Sequence, residues 1–350
     1  MTRLLFHSKM VIMKVTKILP TPKPRRHIGR RIAAGLVFLL VIAATTWTVL
    51  NRQLIIDQIT VWQYELPAEV LTLAKDSGLN DHGKFLLRAS RAELNERAEF
   101  NRNCTMRESQ AIVLGCFAAR RIFIFNVTDE RISGVRAVTA AHEMLHAAYA
   151  RLGTRDRQNL DQLLEEQLAR TTDQSLLELI NIYAQSEPDQ KFNELHSLFG
   201  TEVYQLSPAL ETYYKKYFAD RHQVVQLYHA YSQVFTDLNT RAEKLQQELN
   251  AKNAAIAAAS AQYRRDANQL SADIDEFNRC AKELNCFASQ AAFDRARAAL
   301  MTRQNDLQTT AAQINGQIDQ YNAGVADLNA LGIEAQKLNQ SIDSHAPVIE

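Results

Sequence analysis

The sequence predicts an α+β chain that is mostly α: a single N-terminal transmembrane helix, a small domain with a short antiparallel sheet, then a long antiparallel helical hairpin. Three observations predict it. A charge-free apolar run extends from Ile32 to Leu50. Short apolar runs rich in β-formers cluster between Lys84 and Val127. Between Pro208 and Gly316 neither glycine nor proline occurs, while apolar residues recur at three- and four-residue steps. The segments are 1–31, a basic cytoplasmic tail; 32–50, the transmembrane helix; 51–83, a juxtamembrane helical linker; 84–220, the small domain; and 221–350, the hairpin.

The formal net charge of +1 over 350 residues gives no reason to expect a nucleic-acid partner. Charge is unevenly placed, however. Lys9, Lys14, Lys17, Lys23, Arg25, Arg26, Arg30 and Arg31 crowd the first segment, which holds no acidic residue. At a rise of about 1.5 Å per residue, the apolar run from Ile32 to Leu50 spans roughly 28 Å, the thickness of a bilayer hydrocarbon core. Basic residues precede it and Trp47 stands near its far end. The positive-inside rule therefore places the N-terminus in the cytoplasm and residues 51–350 outside it, held to membrane lipid by a single pass. The run ends in Trp47-Thr48-Val49-Leu50-Asn51-Arg52, which offers no small-x-small cleavage site and so favours an anchor over a signal peptide.

Beyond the anchor, short helices are expected over Asn51–Tyr64 and Ala68–Ser77. Phe85–Ala89, Ala111–Phe117 and Arg121–Val127 read as strands, the last two as a hairpin. Ser133-Gly134 introduces a helical pattern over Val135–Leu152. Further helices follow at Arg155–Arg170, Asp173–Ala184 and Asp189–Phe199, with Gly200 as the stop.

The four cysteines form two close pairs on the side predicted to be oxidising, so disulfides Cys104–Cys116 and Cys280–Cys286 are expected. On a continuous helix Cys280 and Cys286 would lie about 9 Å apart along the axis and roughly 240° apart around it, too far to bond. A bond between them breaks the helix there. It leaves arms of nearly equal length, 221–279 and 287–344, as an antiparallel coiled-coil hairpin requires. Asn278 and Asn285 can serve a turn that has no glycine or proline.

The chemistry lies in His142-Glu143-Met144-Leu145-His146. Helix positions i and i+4 differ by only about 40°, so His142 and His146 project from one face, one turn apart. So placed, two imidazoles can bind one Zn2+ ion, and Glu143 can act as general base toward the water that the ion activates. Zinc lowers the pKa of its water toward about 7 and polarises a carbonyl, as amide hydrolysis needs. The other face of this helix, with Val138, Ala141, Leu145 and Ala148, can pack on a core.

This pattern resembles the gluzincin class of zinc metallopeptidases. The resemblance covers residues 84–218 at most and is specific only at the first motif. It implies a zincin-like catalytic domain, a glutamate on a later helix as third metal ligand, and a strand before the zinc helix that forms the edge along which substrate lies, here Arg121–Val127. The metzincin continuation is absent, because Tyr149 and Leu152 stand where that class has glycine and histidine. Glu194, in an Asn-Glu context resembling the second gluzincin motif, is the leading third ligand. His196 and Glu202 are its rivals. His196 points to nearly the opposite helix face from Glu194, so the two do not serve one ion together. Position 198 is Leu198, where the class often carries an acidic residue, which leaves the groups behind the ligands unassigned. Tyr213, Tyr214, Tyr217, Arg221 and His222 follow, and each could donate to a developing oxyanion or simply pack the junction with the coil.

The functional expectation is a membrane-anchored zinc metallopeptidase acting on a protein or peptide substrate. The alternative is a membrane-tethered coiled-coil scaffold whose hairpin binds a protein partner and whose zinc site is structural or vestigial. A zinc hydrolase acting on cell-wall amides would use the same chemistry.

Overall fold

The computed structural model of the chain describes residues 28–104, 113–186 and 188–345. The chain divides into two compact units, with the division after Ile55. In the first, helix α1 (Ile28–Leu50) carries the apolar run, and from Ile32 to Leu50 it is long and apolar enough to cross a membrane. A secretion signal also has this place and composition. The basic residues up to Arg26 lie outside the described residues.

Helix α2 (Arg52–Gln63) leads into the second unit, where α3 (Ala68–Asp76) and α4 (Asp81–Ala89) follow. Residues Phe85–Ala89, expected as a strand, are thus the second half of a helix. Asn80 starts it, its side chain accepting from the backbone N–H groups of His82 and Gly83. Leu86 and Leu87 are buried in the core, and a short buried apolar run has no periodicity to separate helix from strand.

The sheet also differs from the expectation. Its strands are β1 (Glu93–Asn95), β2 (Gly115–Ala118) and β3 (Arg121–Phe125), with helix α5 (Arg97–Asn103) between the first two. The order is β1-β3-β2, with β1 parallel and β2 antiparallel to β3, so the sheet is mixed rather than antiparallel. The sequence reading missed β1, three residues with a charge at the first. The β2–β3 hairpin was expected, but its first strand, expected over Ala111–Phe117, runs from Gly115 to Ala118, and Ala111 and Ile112 lie outside the described residues. Ala119 and Arg120, at φ of 48° and 66°, make its two-residue turn, as the right-handed twist of a tight hairpin demands. β3 is central and buried on both faces, which explains its unbroken apolar run. The edges are therefore β1 and β2, not Arg121–Val127, and β2 is the one that lies beside Thr139 and Glu143 of α6. Disulfide Cys104–Cys116 forms and ties the end of α5 to β2.

Around this sheet lie α6 (Gly134–Ala150), α7 (Thr154–Leu168), α8 (Gln174–Ser186), α9 (Lys191–Thr201) and α10 (Pro208–Tyr214). α6 is the centre of the core: Ala140, Ala141, Met144 and Leu145 have no exposed surface. α9 packs directly against it and runs through Gly200 to Thr201. Gly200 is thus not a stop. A Cβ there would overlap Leu145 Cδ1 and crowd Tyr214 Cε1, so the glycine permits the close approach of the two helices. Arg151, at the end of α6, donates from Nε and Nη2 to buried Asp57 on α2 at 2.9 and 3.0 Å. Arg120 stands 3.6 Å from the same carboxylate.

The hairpin is present. α11 (Arg221–Cys280) and α12 (Gln290–Ile342) run antiparallel, joined across by Arg303 and Asp273. Cys280 and Cys286 are bonded, and Asn285 supplies the left-handed residue of the turn at φ 66°. Phe277, Phe287 and Phe293 pack together beneath it. At the other end, Val224 and Val225 of α11 are fully buried in the core around α6. Leu338 and Ile342 of α12 pack with Phe100, Phe125 and Ile132.

Candidate metal centre

His142 and His146 stand on α6 as the helical spacing dictates, ring centroids 4.8 Å apart. The burial of Leu195, Leu198 and Phe199 fixes α9 against α6 and turns Glu194 toward the two rings. Its Oε2 lies 3.8 Å from His142 Nε2, and its Oε1 lies 3.6 Å from His146 Nε2. One ligand atom from each of the three residues lies within 4.8 Å of the others, so this group can hold a metal ion. Three ligands about 2.0–2.1 Å from a tetrahedral ion lie roughly 3.4 Å apart, so the cluster needs only a small contraction. Two imidazoles and one carboxylate are also a suitable donor set for a divalent cation. Burial works against ionisation of Glu194, but the facing imidazoles of His146 and His142 hold its carboxyl below the usual glutamate range. His146 Nδ1 is buried with no hydrogen-bond partner among the described residues.

Of the three candidates for the third position, the structure brings only Glu194 into this group. His196 is fully buried behind it, stacked on Tyr214 at 5.5 Å and edge-on to Tyr213. Burial pushes its pKa down to about 3, which leaves a neutral ring inside an aromatic cage. Glu202 lines the same cavity as the cluster, but its carboxyl interacts with Tyr228, and burial pushes its pKa up to about 7.

Glu143 is 6 % exposed and lies against the edge strand. A Cβ on Gly115 would come within 2.7 Å of Glu143 Cγ and Oε1, and within 2.5 Å of Thr139 Cγ2. The missing side chain at position 115 is what lets β2 lie against this turn of α6. A cavity of about 820 Å³ opens here, bounded by β2, by α6 from Val138 to Ala150, by Glu194 and Leu198 of α9, and by Tyr231 of α11. Tyr149 also lines it and donates to Asp161 Oδ1 at 2.7 Å. Burial, reinforced by that hydrogen bond, raises its phenol well above the ordinary tyrosine range.

None of Tyr213, Tyr214, Tyr217, Arg221 and His222 reaches this cavity. Tyr213 and Tyr217 pair through their hydroxyls, and Tyr214 donates to the His196 carbonyl at 2.7 Å. Arg221 binds Glu211 and the carbonyl of Val203, while His222 sits beside Asp220 at the start of α11. These are packing and capping roles. The sequence reading missed Gly115 and Tyr231 as parts of the site and cited Tyr149 only for the glycine it replaces. Tyr149, three residues beyond His146 on the same helix face, could have been found by spacing alone.

No family of known proteins, no curated protein and no solved structure matches the chain.

Proposed function

We propose that the chain is a membrane-anchored zinc metallopeptidase of the gluzincin type, with a zincin-like catalytic domain outside the cytoplasm. The reading is supported above all by the convergence of His142, His146 and Glu194 on one point beside Glu143, at the mouth of a cavity walled by an edge strand. His142, His146 and Glu194 would hold the zinc. When bound, the ion supplies a Lewis acid for the scissile carbonyl and acidifies water.

The chain's own residues do the rest. β2, paired on one side only among the described residues, offers its other edge to an extended peptide, which adds as a further strand and sets the scissile carbonyl over α6. Glu143 takes the proton from water as its oxygen attacks that carbonyl. It then delivers the proton to the amide nitrogen as the C–N bond breaks, so one carboxylate serves first as base and then as acid. The walls formed by Leu198 and Tyr231 exclude bulk water from the reacting groups.

The test compares the wild type with Glu143→Gln and His146→Ala in metal content and in cleavage of an unstructured protein substrate. Glu143→Gln is expected to keep the metal and lose roughly 10²–10⁴-fold in turnover. His146→Ala is expected to lose both. If metal removal melts the fold and Glu143→Gln changes no cleavage, the site is structural and the tethered scaffold is the right description.

A further inference from the structure

We infer that the exposed apolar face of α2, formed by Ile56, Ile59 and Trp62, docks the second unit onto the lipid interface of the bilayer that α1 enters. Trp62 is 75 % exposed, Ile56 43 % and Ile59 42 %. Single exposed apolar residues are ordinary on a soluble surface; three along one face of a short helix are not. The face is also set by the fold. Asp57, the only acidic residue of α2, is buried in its ion pair with Arg151. Ile59 and Trp62 stand roughly 160° and 140° around the helix from it. The contact that holds α2 on the domain therefore turns its apolar stripe outward and removes its negative charge from that stripe.

The occupant follows from the chain's continuity. Five residues lie between Leu50, the last of the apolar run, and Ile56, and the six steps from one to the other reach at most about 21 Å however the chain folds. The stripe is thereby kept at the bilayer surface at a high effective concentration. An exposed tryptophan beside aliphatic residues, with no exposed carboxylate on the same helix, suits the boundary between headgroups and acyl chains. The inference rests on reading α1 as a membrane span. For the activity proposed above it has a consequence: Asp57 couples α2 to the end of α6, so the metal-binding turn is held at a fixed height. Its substrates are then polypeptide segments close to the membrane.

The chain has two tryptophans, Trp47 in α1 and Trp62, so each can be read alone. Full-length Trp47→Phe and Trp62→Phe proteins are reconstituted in vesicles containing phospholipids brominated high or low on the acyl chain. In Trp47→Phe, emission from Trp62 is expected to be quenched, more by the bromines near the headgroup than by deep ones. The quenching is expected to be lost when Ile56→Ser and Ile59→Ser are added, with the helical circular dichroism unchanged. If Trp47 is quenched in Trp62→Phe while Trp62 is untouched in Trp47→Phe, the anchor stands and the docking surface is refuted. Shielding of Trp62 from soluble iodide without bromine quenching assigns the face to a protein contact and likewise overturns the inference. If neither tryptophan meets bromine, the span itself fails and takes the inference with it.

Discussion

Gly115→Ala is the most informative single substitution, because one methyl group is asked to occupy a place already taken by Thr139 and by Glu143, the proposed general base. The new Cβ would lie 2.5 Å from Thr139 Cγ2 and 2.7 Å from Glu143 Cγ and Oε1. Carbon atoms rest at about 3.5–4.0 Å, so roughly 1 Å must be found. Glu143 can give some of it by swinging its carboxylate. Thr139 gives little: its Oγ1 donates to the Val135 carbonyl at 2.9 Å, and turning Cγ2 away breaks that bond. Overpacking of this kind costs about 1–3 kcal/mol of stability. If Glu143 is the general base proposed above, a displacement of about 1 Å in it costs on the order of 10²-fold in turnover. The three atoms nearest the methyl group belong to Thr139 and Glu143, not to a histidine or Glu194, so metal affinity should hold. Thermal melting, metal titration and peptide turnover on the same preparation check all three. Adding Thr139→Ser removes Cγ2 and keeps the bond to Val135, so it should restore melting without restoring turnover. Turnover of Gly115→Ala within about a factor of two of wild type would refute the claim that strand and carboxylate are fitted to each other.

Asp57→Asn leaves the Arg151 guanidinium without its charged partner in a largely buried place, and should destabilise the second unit by about 3–5 kcal/mol in denaturant unfolding. Glu202→Gln should change how stability depends on pH in the metal-free protein. Burial raises the Glu202 carboxyl to about 7 in the folded state. An unfolded glutamate titrates near 4.3, so between those values the folded state binds more protons, and stability falls as pH rises through the window. The glutamine variant should lose that part of the slope, as unfolding at pH 5 and pH 8 in chelator would show. Shortening the hairpin by removing 246–323, with a short linker between the cut ends, should leave metal affinity and small-peptide turnover intact. A loss of metal on that change would show that the distal coil is part of the site.

The long apolar helix, the hairpin and the two histidines were legible because each rests on a pattern local to the chain: a run of apolar residues, sustained three- and four-residue spacing, or two residues one turn apart. The turn at Asn285 was legible through covalent geometry, since bonding Cys280 to Cys286 is incompatible with a continuous helix. The strand order was not legible. β1 contributes three residues whose place depends on parallel pairing with β3 from thirty residues away, and no alternation marks it. Phe85–Ala89 was misread for the reverse reason: its apolar residues fit either element, and the deciding feature was the Asn80 cap. The mistaken choice of edge strand followed from this, because a buried central strand reads more strongly β than an edge one.

The candidate site shows why local reading reaches the paired histidines and stops there. His142, Glu143 and His146 share one helix and announce themselves by spacing, whereas the rest of the wall is assembled from β2, α9 and the base of α11. Tyr231 lies at a position that fits the coiled-coil repeat, and the repeat alone explains its presence. Only the burial of Val224 and Val225 against α6 shows that the first turns of α11 belong to the core rather than to the rod. A boundary drawn where the repeat begins therefore cuts through the cavity wall. By the same logic, Leu338 and Ile342 bring α12 back onto α5 and β3, so both arms are rooted beside the sheet that carries the edge strand. The coil is therefore continuous with the core at its base, through Val224 and Val225 beside α6 and through Leu338 and Ile342 beside α5 and β3, and is not a separate appendage.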